Sequence, residues 1–438
     1  MKIKEKYIRI SLVIITVMMT ILRFLLNEKG RVTPDSIRYM RFAHGLPVID
    51  NTTTPLGYPV AIRLLTYLGP DEFWSSKIIG ICSFFMIIFW ARKRNFYYRE
   101  SIVTGALFSF LSIFSATLSE ALILPFVFFF FYIAALVIRE DLKGRKAFLY
   151  LSLILILLYN IRYSALFFIG AAGLFGLLHV RKKYSLVLLF SAATAGLYVV
   201  AYKLFFIDHF NEDYIRNALE TGLHPTSQLL TELFQALCTT FNPFIHMASP
   251  GGGMINYAIY GLGLFNIILM VFTFIRYRLS DSESFFVFTG VAGILCMFFI
   301  QYFYSLDPLD YRLLAPFSFP LWLVYFRKLF FLFKAKVYII AALSLLSGLC
   351  FTWLSKGSYL ENRKRITRFL KSENLDKAAL KFYWEPSGDS DKMQVSELVS
   401  TVNPQIIFTR NPKDTLQKTT LTGYKVLQKI KIDKNKYQ

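Results

Sequence analysis

At 438 residues, 55% of them hydrophobic, and a mean hydropathy of +0.46, the chain exceeds the roughly 45–50% apolar usage of soluble domains, and the excess sits in long blocks. A soluble globular fold is excluded. The net charge of +21, from 49 Lys and Arg against 28 Asp and Glu, does not point to nucleic acid: the basic residues punctuate the apolar blocks as short clusters, the pattern of topology signals and anionic-lipid contacts.

The N-terminal Met-Lys-Ile-Lys-Glu-Lys before an apolar run looks like a signal peptide, but no small-residue cleavage site follows Leu26. Tyr7 to Leu26 is therefore read as the first span. A bilayer core of about 30 Å takes about 20 apolar residues per helix, and helices are expected because lipid offers no partner to an open backbone. Basic clusters at Lys2 to Arg9, Arg92 to Arg94, Arg139 to Lys146, Arg181 to Lys183, Arg276 to Arg278 and Arg327 to Lys336 are placed in the cytoplasm. The segment Asn27 to Phe73 is then outside, followed by a span near Trp74 to Trp90.

Ser101 to Ile138 is long enough for two spans with an outer tip at Ser115 to Glu120. Ala147 to Val180 must also cross twice, turning near Asn160 to Tyr163, which puts Arg162 outside. A span from Tyr184 to Phe206 leads to a second outer loop, whose amphipathic Leu229 to Leu237 suggests a lid. Gly251-Gly252-Gly253 suggests a mobile or closely packed turn before the next span. Spans near Ile255 to Ile275, Phe285 to Tyr304, Leu313 to Phe326 and Val337 to Ser355 complete the set, with Ser305 to Arg312 as another outer turn.

The expected fold is an all-α polytopic membrane protein of about eleven spans carrying a small α/β C-terminal domain. Residues 1–355 form the membrane domain with outer loops 27–73 and 207–254, and residues 356–438 the extracytoplasmic tail. Arg363-Lys364-Arg365 argues against an outer tail, but long translocated domains partly escape the charge rule. Within the tail, Gln405 to Thr409 and Tyr424 to Leu427 read as strands and Leu375 to Tyr383 as a helix. The run Phe126 to Phe131 reads as lipid-facing. Cys82, Cys296 and Cys350 lie in spans and Cys238 in a loop, without disulfide or zinc spacing.

The first outer segment, with Thr33-Pro34-Asp35-Ser36-Ile37-Arg38-Tyr39 and Asn51 to Pro59, has the carboxylates, aromatics and prolines of a head-group-binding loop. Asp35 also reads as an N-cap for a helix over Ser36 to Ala43. Val60 to Leu65 is too short to cross and is expected along the interface. Asn51-Thr52-Thr53 is a formal glycosylation sequon.

Asp-Ser-Ile-Arg-Tyr after the first span, Pro-Leu-Gly-Tyr-Pro downstream and Leu-Ser-Glu-Ala-Leu at a later helix start resemble the GT-C membrane glycosyltransferases, of the protein mannosyltransferase and aminoarabinose transferase kind. The resemblance covers the span pattern from Tyr7 to about Ser355. It implies a hexosyl- or pentosyltransferase that takes its sugar from a polyprenyl-phosphate-linked donor, with a lipid, glycan or protein acceptor. It also implies a multi-pass protein of the inner (cytoplasmic) membrane whose active site faces the periplasm or cell exterior, with Asp35 as catalytic base. Many such enzymes have a second acidic residue beside the first. Here Ser36 stands there, so a divalent cation stays open and no other cofactor is read.

A sugar phosphate already carries a good leaving group, so one carboxylate that deprotonates the acceptor suffices for inversion, whereas retention needs two about 5–5.5 Å apart. The leaving phosphate calls for a cation, and Arg162 and Arg312 are the candidates; the alternative for each is snorkelling to lipid head groups. Glu120 reads equally as a helix-terminal charge or as an acceptor or metal ligand. Asp307 and Asp310 read as turn residues. Tyr39, Tyr58 and Tyr163 are candidates to stack on sugar. Asp208, His209, Glu212, Asp213, His224 and His246 match no defined metal spacing. The rival readings are a transporter or flippase of a lipid-linked glycan, which predicts broken helices and polar groups deep in the spans, and a scaffold in glycan assembly.

Overall fold

A computed structural model describes residues 2–49, 54–212, 225–247, 252–304, 308–383, 390–430 and 432. The chain is a helical bundle with a small α/β unit at its C-terminal end. Among the described residues, eight segments are long and apolar enough to cross a membrane, and the last, Tyr311–Leu354, holds two helices. The membrane-crossing candidates are α1 (Lys2–Leu26), α4 (Glu72–Arg94), α7 (Ser119–Ile138), α8 (Gly144–Ile161), α10 (Ser185–Tyr202), α12 (Met254–Arg276), α13 (Asp281–Phe303), α14 (Tyr311–Phe333) and α15 (Tyr338–Leu354). The broken pair α5 (Tyr98–Ala106) and α6 (Phe108–Ser115) and the shorter α9 (Leu166–Leu178) supply two further crossings. The two-span reading of the region before Ile138 and the turn at Arg162 both match these boundaries.

The helix ends segregate. At the basic end, Tyr338 donates to Glu5 at 3.1 Å, Lys328 to the Arg278 carbonyl at 3.2 Å, and Lys182 faces Asp281 at 3.6 Å. At the other end lie α2 (Pro34–Gly45), α3 (Gly57–Thr66) and the tail domain. The basic clusters thus share one face of the bundle, as the charge pattern requires.

The phenylalanine run is not lipid-facing. Phe128, Phe130 and Phe131 are fully buried, and Phe131 meets Phe286 at 4.5 Å while Phe130 meets Phe168 at 5.6 Å. A helix that is apolar all round belongs in the centre, and α7 is flanked by α4, α8, α13 and α14.

The amphipathic part of the second outer loop packs along the bundle instead of forming a lid. Its helix α11 (Thr226–Thr240) starts beside the end of α13, where Thr226 meets the Tyr302 hydroxyl at 2.9 Å, and runs down along α12. Gly263 permits that approach, since a Cβ there would sit 2.0 Å from the Cys238 carbonyl oxygen. Gly252 and Gly253, with φ of +74° and +118°, then make the turn into α12; Gly251 lies outside the described residues.

Past α11 the backbone is irregular deep inside the bundle, which apolar surroundings tolerate only where side chains satisfy it. Asn266 donates to the Phe241 carbonyl (2.8 Å), Ser344 to that of Pro243 (2.6 Å), and Ser347 to that of Phe244 (2.7 Å). The same Ser344 Oγ accepts from the Phe108 N–H at 2.8 Å, where α5 breaks into α6. One hydroxyl therefore closes two backbone gaps. Ser344→Ala leaves a buried donor and a buried acceptor unmet, at about 1–3 kcal/mol each. The expected result is a lower melting temperature in detergent and faster exchange of the Phe108 amide.

The tail differs in part from expectation. Leu380–Tyr383 is a strand (β1), not a helix, and pairs in parallel with the expected strand Ile406–Thr409 (β2), Leu380 opposite Ile406. Asn374, with φ of +56°, ends the preceding helix α16 (Tyr359–Ser372), and Leu380 and Phe382 then alternate into the core. Lys425–Gln428 is one helical turn (α18), not a strand, and inserts Leu427. Between the strands runs α17 (Ser390–Ser400).

The tail packs on the first outer segment: Tyr359, Ile366 and Leu398 share a core with Val32, Ile37 and Met40. Arg363 donates to Asp71 at 2.5 Å, so part of the basic tail start serves docking. Lys29 pairs with Glu397, both buried. Glu397→Gln strands a buried ammonium, a change worth about 3–5 kcal/mol. Limited proteolysis should then release the tail domain at protease levels that leave the parent chain whole.

Candidate active site

The site starts at the N-terminus of α2. Thr33 is extended (φ −127°, ψ 172°) and Pro34 opens the helix, so Thr33 rather than Asp35 holds the N-cap position. Ser36 Oγ accepts from the Thr33 N–H at 3.0 Å and donates to the Thr117 carbonyl at 2.7 Å. The residue that stands where relatives of the resembled family carry a second acid is therefore a buried anchor, tying α2 to the segment before α7. This leaves the Asp35 carboxylate 58% exposed, 3.8 Å from Arg38 one turn on.

Two more helix ends meet it. Glu120, in the first turn of α7, pairs with Arg162 at 2.8 Å, with side chains only 4% and 14% exposed. Arg162, at the break between α8 and α9, also donates to Ser164 (3.0 Å) and Ser119 (3.3 Å). A free cation snorkelling to lipid head groups does not fit this pairing. Tyr39 shares a hydrogen bond with Ser119 at 3.0 Å.

Asp35, Arg38, Tyr39, Thr54, Pro55, Arg162, Tyr163 and Ser164 line a recess of about 210 Å³. Tyr58 is fully buried behind Tyr39, ring edge against ring at 5.1 Å, and so braces the wall instead of facing sugar. Arg312 is held by Asp310 at 2.6 Å, while Asp310 caps α14 by accepting from the Arg312 and Leu313 N–H groups. The charge of Arg312 nonetheless reaches Asp35. Of the seven candidates, Asp35, Tyr39, Arg162 and Tyr163 line the recess together with Arg38, which sequence reasoning passed over although it lies one turn from Asp35; Glu120 sits behind Arg162, Tyr58 behind Tyr39, and Arg312 acts at longer range.

Although the Asp35 side chain is 58% exposed to the recess, the surrounding wall desolvates its carboxyl; this, and then the charge of Glu120, push it above its ordinary value, while Arg38, Arg312 and Arg162 oppose the shift. Burial and Glu120 likewise raise the Tyr39 phenol. For Arg162, burial works against the charge, but Glu120 and Tyr39 outweigh it and hold the guanidinium protonated. The arrangement offers one accessible carboxylate able to take a proton and a fixed cation beside it.

Among the described residues no ready-made divalent-cation site is assembled. Hard cations take several oxygen ligands, and Glu120 is already engaged by Arg162. Among the described residues, no three His, Cys, Asp or Glu side chains gather. Asp208 pairs with Lys203 at 2.6 Å, His209 packs on Phe210, and His246 is buried between Phe108 and Tyr311. Asp213, His224, Asp307 and the sequon at Asn51 to Thr53 lie outside the described residues.

No family model matches the chain, and no curated protein matches it. Among solved structures, the chain is similar to the Archaeoglobus fulgidus oligosaccharyltransferase tethered with an acceptor peptide containing the NVT sequon via a disulfide bond. The similarity covers 93% of this chain at 12% identity, with a TM-score of 0.49. The chain spans 64% of that enzyme's length.

Proposed function

We propose that the chain is an inverting glycosyltransferase of the GT-C kind, moving a sugar from a polyprenyl-phosphate-linked donor to an acceptor hydroxyl or amide at the face opposite the basic clusters. The observation that carries this reading is the convergence on one recess of Asp35 from α2 and of Arg162 and Tyr163 from the break between α8 and α9, with Glu120 of α7 behind them. Asp35 takes the acceptor proton as the acceptor attacks the anomeric carbon. The bond from that carbon to the phosphate oxygen breaks, and its electron pair leaves on the phosphate. A carboxyl raised toward neutrality is a better proton acceptor, provided it is ionised at working pH.

Arg38 and Arg162 stand where the departing phosphate gains charge, and Arg312 adds its field. With Glu120 engaged by Arg162, Asp35 is the one carboxylate among the described residues that lines the recess, which favours single displacement over a covalent intermediate. Tyr39 and Tyr163 offer faces for sugar. Donor sugar and acceptor class are open to assay.

A transporter of a lipid-linked glycan is the second reading. The break at Leu107, the irregular segment after α11 and the buried Arg23 and His246 are the deep polar features it needs. Purified protein in vesicles with radiolabelled polyprenyl-phosphate sugars separates the two: transfer forms a glycosidic bond, and transport moves label across the bilayer without one.

A further inference from the structure

A second cavity, of about 270 Å³, opens on the side of the bundle between α12, α14 and α15, far from the recess. Its walls are apolar: Leu262, Phe265 and Leu269 on α12 face Trp322, Leu329 and Phe333 on α14. Within the wall Tyr325 donates to the Asn266 amide oxygen at 3.1 Å and Asn266 donates to the Phe241 carbonyl, while the buried Trp322 indole N–H finds no acceptor among the described residues. The charged group of the lining is Lys336, at the mouth. It is exposed, and it forms no ion pair or hydrogen bond among the described residues.

The dimensions select an occupant. From Phe333 to Trp322 the groove follows twelve residues of α14, about 16 Å, close to half of a roughly 30 Å hydrocarbon core. It begins at the basic end of the bundle and stops at Pro243 and Phe244, in the segment that Ser344 and Ser347 hold. A chain whose phosphate sits in the Asp35 recess would enter from the opposite leaflet. A cation at the mouth, an apolar trough below it and the depth of one leaflet fit a single acyl chain of an anionic phospholipid from the leaflet on the basic side.

We infer that this groove is a binding site for an anionic phospholipid, with its phosphate at Lys336 and one acyl chain reaching Phe244. The occupied groove braces the segment from Phe241 to Met247, whose His246 packs on Tyr311 next to Arg312. Lipid charge is thereby linked to the far face through one continuous set of contacts.

The test is photolabelling of the full-length protein in vesicles of phosphatidylcholine. These carry a trace of a diazirine-acyl phosphatidylglycerol or of phosphatidylcholine with the same chain, and labelled peptides are mapped by mass spectrometry. The phosphatidylglycerol probe should label 262–269 and 322–333 at least about threefold more than its neutral counterpart. Lys336→Glu should remove that preference, and Ile340→Trp, which narrows the trough without changing charge, should reduce both labels. Equal labelling by the two probes, or a preference that survives Lys336→Glu, overturns the site. Stronger labelling there by a polyprenyl phosphate probe overturns the assignment of the occupant. None of these readouts depends on glycosyl transfer.

Discussion

Asp35→Asn should lower glycosyl transfer by about 10²- to 10⁴-fold, the range for removal of a general base, while leaving donor binding near its parent value. The substitution keeps the size of the side chain and its place on α2, and a carboxylate 58% exposed holds up no core. Transfer that persists at the parent rate ends the proposed chemistry. The pH profile adds a second check. The base acts only when ionised, so activity falls as pH drops through the Asp35 pKa, and burial with Glu120 puts that acid limb above the ordinary aspartate range. Glu120→Gln removes the second of these causes and leaves Arg162 unopposed nearby. Both changes favour the carboxylate, so the limb should move to lower pH.

Breaking the Glu120–Arg162 pair should cost a large share of the protein's stability. Removing one member of a buried ion pair costs about 3–5 kcal/mol, because the other charge stays behind in a poor solvent. Against a typical total of 5–15 kcal/mol this is a large fraction. Arg162→Gln alone should melt well below the parent, and Glu120→Gln/Arg162→Gln should recover most of the difference, giving a large coupling in a double-mutant cycle. The double variant also separates scaffold from chemistry: with folding restored, loss of transfer assigns the pair to phosphate stabilisation, and retained transfer makes it a brace.

The spans and their order were legible because a lipid solvent imposes length and composition so strictly, and because basic clusters mark alternate helix ends. Asp35, Glu120, Arg162 and Arg312 could be gathered to one face by that logic alone. What could not be read was which partner each would take. Glu120 and Arg162 lie far apart in sequence, and nothing in either segment announces an ion pair.

The Phe126 to Phe131 run was misjudged because apolar residues face lipid and core alike; only the number of helices packed around α7 decides between them. Pro243, Phe244 and Ser344 were missed for a different reason. Irregular backbone at depth needs distant side chains to satisfy it, and a serine within an apolar span gives no sign that it serves this purpose.

Ser344 also bears on the order in which the protein is made. The Phe108 amide it satisfies is separated from it by 236 residues. At about 5–20 residues per second, synthesis of that interval takes on the order of 10–50 s. During this time the break between α5 and α6 lacks its native acceptor, although the first helices are already threaded. The nascent chain therefore needs a surrogate, such as water retained at the translocation site or an insertase surface. Closure of the bundle is a late event that awaits the arrival of α15.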